Sequence, residues 1–546
     1  MAEKTYGLEH HQFTGFGKIY RNLTVQELVE HEYSNGEVKF GPDGAVMVNT
    51  EKYPERKPEI KFYVDESSTT ENMWWGSGNR KITIEQFDRV QARVLTYLSN
   101  CELFVNDVFC GADKKHRVAF RIVSKKAWHA HFFRNLYIEP TDKELENFLP
   151  DYTILNACGY EEHEFKKIGL ADKAFVIVNL KSKVILIGGT ENSDEIKKIV
   201  FSIMNYVLPN KGILTLHSAA NIGKENDVTL FLGFEGSGKT TLSNDPNKRS
   251  WHRRLIGDDA HAWTDEGIMN LECGCYAKCL NLDSEQEPDI YRAIRFGAIM
   301  ENVMYNEKRI VNYDDSTRTE NTRVTYSQDY IHNSVIPGIV GHPETIIILA
   351  KDLYGVLPPI ARLTPDQAVY YFLAGYSSHL FTKDDKTEIN AEFSFCFGAS
   401  FLTLRPNIYA ELFAQKVERH GTVSYLVNTG WTGGTYGTGK RIPLVETRRI
   451  IDSILDGSIN NSVFEKDPVF GIDVPKQLTG VDSSILIPRN TWKDQAAFDK
   501  ARKQLAGKFV ENFEKYAKDG PQTGDIIATK YLYNEYNKLS AAGPHL

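Results

Sequence analysis

The feature that most constrains this chain is residues 233–240, which fit the pattern Gly-x-x-x-x-Gly-Lys-Thr directly after an apolar run over 228–232. A strand that ends in a glycine-rich turn and opens a helix directs several backbone N–H groups, and the positive end of the helix, at one point. The pattern therefore predicts a loop that binds a nucleotide polyphosphate. The alternative is a plain glycine turn, which the preceding strand and the helix-compatible residues 241–243 disfavour.

Side chains of this loop have separate predicted roles. We expect Lys239 to reach the β- and γ-phosphates as a point charge, and Thr240 or Thr241 to offer a hydroxyl to Mg²⁺. The loop residues predicted to contact the nucleotide are Gly233, Glu235, Gly236, Ser237, Gly238, Lys239, Thr240 and Thr241.

Two carboxylates close the next apolar run. Asp258 and Asp259 follow residues 255–257, so a buried strand would deliver them to the end of the sheet that carries the phosphate loop. This is the position of a metal-binding aspartate in phosphate-loop enzymes. A strand-end pair that caps the following turn is the alternative. The phosphate-loop lysine shortly before the pair favours metal coordination.

Length and composition narrow the class of protein. With 546 residues the chain is too long for one ordinary core, so we expect two or three domains. Acidic residues outnumber basic ones, 72 against 64, so neither nucleic acid nor an anionic membrane is an expected partner. Residues 1–13 lack a basic segment followed by an apolar one, and no apolar stretch approaches a membrane span. We expect a cytoplasmic enzyme that acts on small molecules. Composition leaves the assembly open, and a monomer is one of the options.

Seven cysteines over this length suit a reducing cytosol. Three of them, Cys273, Cys275 and Cys279, lie close together in the sequence, and thiolates bind zinc. Their spacing lacks a nearby fourth cysteine or histidine, and the segment is typical of a strand or turn. We therefore expect buried thiols rather than a zinc site.

Hydrophobic periodicity predicts an N-terminal α/β domain over 1–212 and a C-terminal nucleotide-binding domain over 213–546. Pro209 and Gly212 punctuate the boundary. The polar segment 381–390 is predicted to be an exposed loop, either passive or part of a mobile lid near 376–395. Helices are predicted near 83–99, 195–207, 448–455 and 496–517, and strands near 103–105, 174–179, 184–188, 345–350 and 401–404.

Further motifs follow one another in an order that a single family shares. Besides the phosphate loop and residues 255–259, they are residues 216–221 (Leu-His-Ser-Ala-Ala-Asn), 291–303, 320–324 (Glu-Asn-Thr-Arg-Val), 395–399 and 428–434 (Asn-Thr-Gly-Trp-Thr-Gly-Gly). From about Asn22 to Pro544 the chain resembles the ATP-dependent phosphoenolpyruvate carboxykinases. The resemblance implies a two-domain α/β fold whose C-terminal domain binds the nucleotide through a phosphate loop.

The resemblance also implies a reversible reaction of gluconeogenesis. The family decarboxylates oxaloacetate, traps the enolate of pyruvate and transfers the γ-phosphoryl group of ATP to the enolate oxygen, giving phosphoenolpyruvate, CO₂ and ADP. Because both reactants are anionic, divalent cations and fixed positive side chains must bring them together. The implied cofactors are ATP, Mn²⁺ and Mg²⁺.

Motif matching assigns roles to individual residues. Lys198, His217 and Asp259 would share one Mn²⁺ at roughly 2.0 to 2.4 Å from each donor atom. Arg56 and Arg323 would clamp carboxylate and phosphate oxygens through their forks. The remaining assignments are a catalytic contact with the transferring phosphoryl group for Lys278 and Lys239, a Mg²⁺ contact for Thr240, a substrate contact for Asn192, and nucleotide contacts for Glu287, Arg323, Arg441, Ile442 and Thr447. Plainer alternatives are a structural histidine for His217, a surface ion pair for Arg323 and a solvated charge for Lys198.

Departures from the family concentrate where the organic acid is expected to bind. The family's Thr-Gly-x-x-Thr-Gly-Arg-Ser-Pro-Lys-Asp-Lys becomes residues 50–61, in which Glu51 and Glu55 replace glycines while Arg56 survives. A tyrosine of the family corresponds to Asn192. In the lid region residues 381–384 replace Ala-Gly-Thr-Glu.

The added carboxylates, together with Glu235 in the phosphate loop, lead to a conditional expectation. If Glu55, Asn192 and Glu235 line the pocket beside Arg56, oxaloacetate should bind weakly or a less anionic substrate should be preferred. If the glutamates turn outward, an ordinary carboxykinase survives.

Three functions stay open on the sequence alone. The first is an ordinary phosphoenolpyruvate carboxykinase, and the second is a related ATP-dependent kinase or phosphotransferase with another acceptor. The third is a nucleotide-binding relative without turnover, which the presence of Lys239, His217, Asp259 and Arg323 disfavours.

Overall fold

The computed structural model describes residues 5–50, 52–76, 78–244, 253–383, 386–518 and 537–545. Within these ranges the helices are, in chain order, α1 Val25–Ser34, α2 Ser67–Thr70, α3 Ile84–Leu98, α4 Ala127–Leu136, α5 Asp142–Glu146, α6 Phe165–Ile168, α7 Ser193–Val207, α8 Lys239–Ser243, α9 Pro288–Ala293, α10 Pro365–Ala374, α11 Pro406–His420, α12 Leu444–Leu455, α13 Ser483–Leu486, α14 Pro488–Thr491 and α15 Gln495–Lys518. The strands are β1 Ile19–Arg21, β2 Lys39–Phe40, β3 Val46–Val48, β4 Lys61–Val64, β5 Arg80–Ile82, β6 Leu103–Cys110, β7 Val118–Ser124, β8 Tyr152–Ala157, β9 Phe175–Asn179, β10 Val184–Gly188, β11 Leu214–Ile222, β12 Val228–Gly233, β13 Arg254–Gly257, β14 Ala260–Trp263, β15 Ile268–Asn270, β16 Gly274–Lys278, β17 Ile299–Glu301, β18 Met304–Tyr305, β19 Val311–Asn312, β20 Arg323–Ser327, β21 Ile339–Val340, β22 Pro343–Ala350, β23 Ile360–Leu363, β24 Tyr376–Lys383, β25 Lys386–Phe393, β26 Val423–Asn428, β27 Trp431–Thr432, β28 Lys440–Arg441, β29 Phe464–Lys466 and β30 Asp473–Pro475.

The chain forms two compact units, each built from three segments. The first unit comprises Met1–Val207, Met269–Ile339 and Ser400–Leu404, and the second comprises Leu208–Ile268, Val340–Ala399 and Arg405–Leu546. The chain first passes from one unit to the other after Val207, close to the predicted boundary at residue 212. Because it passes between the units again further along, a single boundary does not describe the division. Strands β16, β20 and β17 join the first unit because they form one sheet with β3 and β2, in that order.

A mixed sheet of eight strands forms the centre of the first unit, in the order β1-β6-β7-β8-β10-β9-β4-β5. Helix α3 packs on it because Phe87, Val90 and Val94 recur at helical spacing and enter the same buried cluster as the strands. Thr83 caps this helix, since its side chain accepts the N–H of Gln86 while the Gln86 side chain bonds back to residue 83. The predicted helix near 83–99 is thus confirmed.

The second unit contains a sheet in which β14, β11, β12, β22, β26, β23, β30 and β29 are successive neighbours. Strands β12, β22 and β26 run parallel, so their carboxyl ends meet at one edge. A buried cluster that includes Leu242 of α8, Leu349 of β22 and Ile450 of α12 attaches two helices to this sheet. The predicted α/β class is confirmed, and the strand before the phosphate loop is fully buried.

Two local predictions were wrong. Residues 401–404 form no strand; Leu404 makes one isolated bridge, and Thr403 bonds through its carbonyl to Trp74 and through its hydroxyl to the carbonyl of Ser202. Hydrogen bonds with Trp74 and Ser202 therefore take the place of pairing with a neighbouring strand. Segment 381–390 belongs to the hairpin β24–β25, in which Phe381 pairs with Glu388. The replaced residue Asp384 lies outside the described residues.

Two expectations from composition concern thiols and membranes. All seven cysteines are free; Cys275 and Cys279 are buried, as predicted, whereas Cys273 is half-buried. Within the described ranges these three sulfurs form no cluster that could hold a metal. No helix in the same ranges has both the length and the apolar character that crossing a membrane requires.

His129 of α4 is a buried histidine held by one acceptor and one donor. Its Nε2 lies 3.0 Å from the carbonyl oxygen of Glu191, and its Nδ1 lies 3.0 Å from Nδ2 of Asn156. A carbonyl can only accept and an amide NH₂ donates, so the ring carries its proton on Nε2 and is neutral. Burial lowers the pKa of His129 to about 3.

Acidification should therefore destabilise the protein through His129. Because its folded-state pKa lies below the unfolded value of about 6.5, its stabilising contribution is complete above that pH and is lost as pH falls toward the folded-state pKa. In His129→Gln, which keeps one donor and one acceptor, the loss of unfolding free energy between pH 7 and pH 5 should shrink by about 2 kcal/mol. Unfolding measured at both pH values tests this, with exposed His10→Gln as the control. Equal pH dependence in His129→Gln and wild type would contradict it.

Candidate functional site

The phosphate loop connects β12 to α8. Gly236 and Gly238 have φ angles of 74° and 103°, in the left-handed region that suits glycine. Gly238 is the residue before α8, and the first turn of any helix presents N–H groups that the helix itself cannot satisfy. The loop therefore has the backbone form that the sequence predicted for binding an anion.

Lys239 is buried at the centre of this loop. Its Nζ donates to the carbonyl oxygens of Gly233 at 2.8 Å and Phe234 at 3.2 Å. The loop thus folds around the ammonium group and holds it against the end of β12. A positive charge fixed in this way needs little reorganisation when it meets phosphate oxygens.

Several residues predicted to bind the nucleotide are joined to the loop by hydrogen bonds. The hydroxyl of Thr429, just after β26, donates to the carbonyl of Ser237 at 3.0 Å. Arg441 donates from Nε to the carbonyl of Thr429 at 3.2 Å, and the N–H of Ile442 donates to the carbonyl of Gly430 at 2.8 Å. Arg441 and Ile442 are therefore connected to the phosphate loop through one short segment.

Thr447 and Glu287, two further predicted nucleotide residues, belong to different units. Thr447 is buried in the first turn of α12, where its hydroxyl lies 3.4 Å from the carbonyl of Pro443. Glu287 belongs to the first unit, where it precedes α9. The second unit therefore brings together every predicted nucleotide residue except Glu287 and Arg323.

His217 and Asp259 are brought together by strand pairing. His217 of β11 is opposite Ala260 of β14, and the N–H of Ser218 donates to the carbonyl of Asp259 at 2.9 Å. Nε2 of His217 lies 2.7 Å from Oδ1 of Asp259, and its Nδ1 lies 2.9 Å from the carbonyl oxygen of Phe397. The carbonyl requires a proton on Nδ1, so a neutral ring directs the lone pair of Nε2 toward the carboxylate. A cation between the two groups would satisfy both.

Three charged residues form a row across the five-stranded sheet of the first unit. Arg323 of β20 is opposite Lys278 of β16 and Glu301 of β17, and residues opposite one another face the same side of a sheet. Nε of Arg323 donates to Oδ1 of Asn321 at 2.8 Å, and its guanidinium lies 5.4 Å from the ring centre of Tyr276. Lys278 is exposed. Arg323 is thus anchored by an amide and an aromatic ring.

The two neighbouring lysines of α7 have different surroundings. Nζ of Lys197 lies 3.0 Å from Oε2 of Glu272, and both side chains are buried. Nζ of Lys198 lies 5.2 Å from the ring centre of Phe401, and the residue is half-buried. Lys197 is therefore the structural lysine, which leaves Lys198 as the member of the pair with access to solvent.

The altered residues of the substrate region are either exposed or hydrogen-bonded to backbone. Glu55 is exposed and accepts the hydroxyl of Thr319 at 3.1 Å, and Glu235 of the second unit is exposed. Nδ2 of Asn192 donates to the carbonyl of Tyr53 at 3.2 Å, and its Oδ1 accepts the N–H of Asp194 at 2.9 Å. Glu51 lies outside the described residues.

Sequence reasoning missed three buried carboxylates. Burial raises the pKa of Glu195 and of Glu301 to about 7, and it also raises the pKa of Asp352. Glu301 accepts a hydrogen bond from the hydroxyl of Ser193. For Glu301 and Asp352 the available signal was an acidic residue shortly after an apolar run, whereas Glu195 follows the polar segment 190–194 and carries no such signal.

Comparisons with known proteins cover nearly the whole chain. Residues 17–484 match the model of a family described as phosphoenolpyruvate carboxykinase. A protein of Caldanaerobacter subterraneus subsp. tengcongensis named phosphoenolpyruvate carboxykinase (ATP) is 48% identical over 515 residues, which are 93% of this chain and 97% of that protein. Proteins with the same name from Lysinibacillus sphaericus and Leptospira biflexa serovar Patoc are 47% and 45% identical, over 92% and 96% of this chain and 94% and 97% of their own.

The left-handed backbone at Gly238 predicts an effect of substitution. An alanine there should cost about 1–2 kcal/mol, since a Cβ disfavours this conformation. Gly507→Ala is the matched control because it lies within α15, where an added Cβ meets nothing within 4 Å, and it should stabilise by about 0.4–1 kcal/mol. Unfolding temperatures of the two variants test this. An unchanged unfolding temperature for Gly238→Ala would contradict the assigned loop conformation.

Proposed function

The chain belongs to the ATP-dependent phosphoenolpyruvate carboxykinase family, and we propose that it converts oxaloacetate and ATP reversibly into phosphoenolpyruvate, CO₂ and ADP. The observation that carries this proposal is that one unit holds both the buried Lys239 of the phosphate loop and the His217–Asp259 pair. The buried lysine supports binding of a triphosphate, and the His217–Asp259 pair supports binding of a cation. The altered glutamates do not favour another acceptor, because Glu55 and Glu235 are exposed.

Phosphoryl transfer rests on fixed positive charge. We propose that Lys239 contacts the transferring phosphates and that residues 233–241 bind the rest of the triphosphate through their N–H groups and hydroxyls. Lys278 would supply a further charge to the phosphoryl group. Arg441, Ile442, Thr447 and Glu287 would hold the nucleoside.

His217 and Asp259 fit a divalent cation. One imidazole nitrogen and one carboxylate oxygen already lie 2.7 Å apart, and the bond from Nδ1 to the carbonyl of Phe397 fixes the ring with Nε2 toward the site. We propose Mn²⁺ here with Lys198 as the third ligand, and Mg²⁺ with the nucleotide at Thr240. When bound, such ions neutralise negative charge on the substrate and on the phosphates.

The organic acid needs positive groups that can bind carboxylate oxygens. We propose Arg56 and Arg323 for this role, since a guanidinium fork matches a carboxylate. Burial lowers the pKa of Arg323, yet an arginine stays protonated in proteins. Its bond to Asn321 orients the fork before the substrate arrives. The seven free thiols support a reducing, cytoplasmic setting for the enzyme.

A coupled assay with oxaloacetate, ATP and divalent metal tests the proposed reaction. Wild type should reach a kcat/KM of about 10⁴ M⁻¹s⁻¹ or more, and Lys239→Ala should lose roughly two or more orders of magnitude because a fixed charge at the phosphates is gone. Lys211→Ala, an exposed lysine of the same unit, is the control. A wild type that fails to form phosphoenolpyruvate would refute the reaction, and near-normal turnover by Lys239→Ala would refute the role of that residue.

Direct metal binding tests the His217–Asp259 site. By electron paramagnetic resonance titration, His217→Ala, Asp259→Asn and Lys198→Ala should each weaken Mn²⁺ binding about tenfold or more, as removal of a ligand does. His379→Ala, at a partly exposed position of the hairpin β24–β25, should bind as wild type does. An unchanged affinity in any of the three variants would remove that residue from the site.

A further inference from the structure

We propose that Glu195 and Asn192, at the beginning of α7, are positioning residues that hold the loop of Arg56 in place for the organic acid. The inference rests on the proposed function, since it assigns Arg56 to that acid. Neither residue needs to touch the substrate in this role.

Asn192 fixes the loop on one side of Arg56. Its Nδ2 donates to the carbonyl oxygen of Tyr53 at 3.2 Å. Its Oδ1 accepts the N–H of Asp194 at 2.9 Å, as a residue that caps a helix does. Both ends of the amide are therefore bonded to backbone, and the residue is 2% exposed.

Glu195 fixes the loop on the other side. Its Oε1 accepts the N–H of Lys57 at 2.9 Å, so the peptide group that follows Arg56 is bonded to α7. Burial raises the pKa of this carboxyl, whereas the charge of Arg56 lowers it. The two groups are therefore close enough to attract each other electrostatically.

Besides Arg56, the charges of Lys61 and Asp194 act on Glu195. The pKa of Lys61 is lowered to about 7, chiefly by burial and also by the charge of Arg56, while the charge of Glu195 opposes this shift. Nζ of Lys61 donates to the carbonyl of Ser400 at 2.8 Å. The charge of Asp194 raises the pKa of Glu195. The attraction between Arg56 and Glu195 thus adds to the backbone bond at Lys57.

The same helix carries Lys198, one turn after Glu195. A rigid helix that holds the Arg56 loop through its first turn and bears Lys198 in its next turn fixes these two residues relative to each other. This arrangement gives Asn192 a function in place of the tyrosine that the family has there. It also explains how the loop tolerates a glutamate at position 55, since the loop does not depend on glycine for its shape.

Steady-state kinetics of the full-length enzyme test the proposal. Glu195→Ala and Asn192→Ala should each raise KM for oxaloacetate about tenfold or more, while KM for ATP changes less than about twofold. Glu195→Gln should have a smaller effect than Glu195→Ala because its amide oxygen can still accept from the N–H of Lys57. Glu59→Gln, at an exposed glutamate of the neighbouring turn, is the control and should behave as wild type does.

A double-mutant cycle with Arg56→Lys separates positioning from general destabilisation. Without the guanidinium, the Glu195 substitution should raise KM for oxaloacetate by less than about threefold, because the group that it positions has gone. The proposal would be overturned if the rises in KM for oxaloacetate caused by the two single substitutions multiply in full in the double mutant. It would also be overturned if the Glu195 substitution raises KM for oxaloacetate and KM for ATP equally and lowers the unfolding temperature. If Glu195→Ala does not fold, the same cycle with Glu195→Gln and the Asn192→Ala variant decides the question. Wild type inactive on oxaloacetate would refute the proposed function instead.

Discussion

The parallel alignment of β12, β22 and β26 is the constraint on which the nucleotide side of the molecule depends. The carboxyl ends of these strands meet at one edge, and β12 leads directly into the phosphate loop. The ends are also bonded to one another: Asn428 accepts the N–H groups of Asp352 and Gly430 through one oxygen. Thr429 in turn bonds to the phosphate loop at Ser237. The position of Lys239 is therefore set by three strands, and a preorganised charge of this kind is what phosphoryl transfer requires.

In the first unit, the constraint comes from buried pairs of side chains that can carry opposite charges. Lys197 with Glu272, Arg121 with Asp107, and His131 with Glu32 are all buried pairs. Such pairs contribute little net stability, but the loss of one partner leaves an uncompensated charge and is costly. They therefore fix which way a helix or strand must face. For α7 this decides the orientation: Lys197 turns inward, so Lys198, about 100° further round the helix, faces a different direction.

Much of the site could be predicted from the sequence because its signals are local. The phosphate loop needs only a strand, glycines at fixed positions and a lysine, and Gly238 has the left-handed backbone that this spacing requires. Asp259 follows a short apolar run, and β11 brings His217 beside it. At both of these places the local signal agrees with the structure.

The predictions that failed did so because the residues concerned bond to partners that are distant in sequence. Residues 401–404 have an apolar pattern, but Thr403 bonds to Ser202, 201 residues earlier in the chain. The role of Asn192 depends on the carbonyl of Tyr53, and one sequence cannot show which backbone group an amide will reach. The hairpin β24–β25 is an exception, because this failure has a local cause. Apolar and polar residues alternate after residue 386, which is a strand signal, but the polar composition of the segment favoured a loop.

The interleaving of the two units has a consequence for the ribosome. Strand β3 of the first unit pairs with β17, and Thr50 bonds to Asn302 across 252 residues of sequence. The first unit cannot complete its smaller sheet until β20, which ends at Ser327, has been synthesised, and by then the phosphate loop of the second unit has already emerged. The eight-stranded sheet needs nothing beyond β10 and can form earlier. Synthesis from the N-terminus thus exposes the edge of β3 for a long interval, during which chaperones or the nascent chain must keep that strand from pairing elsewhere.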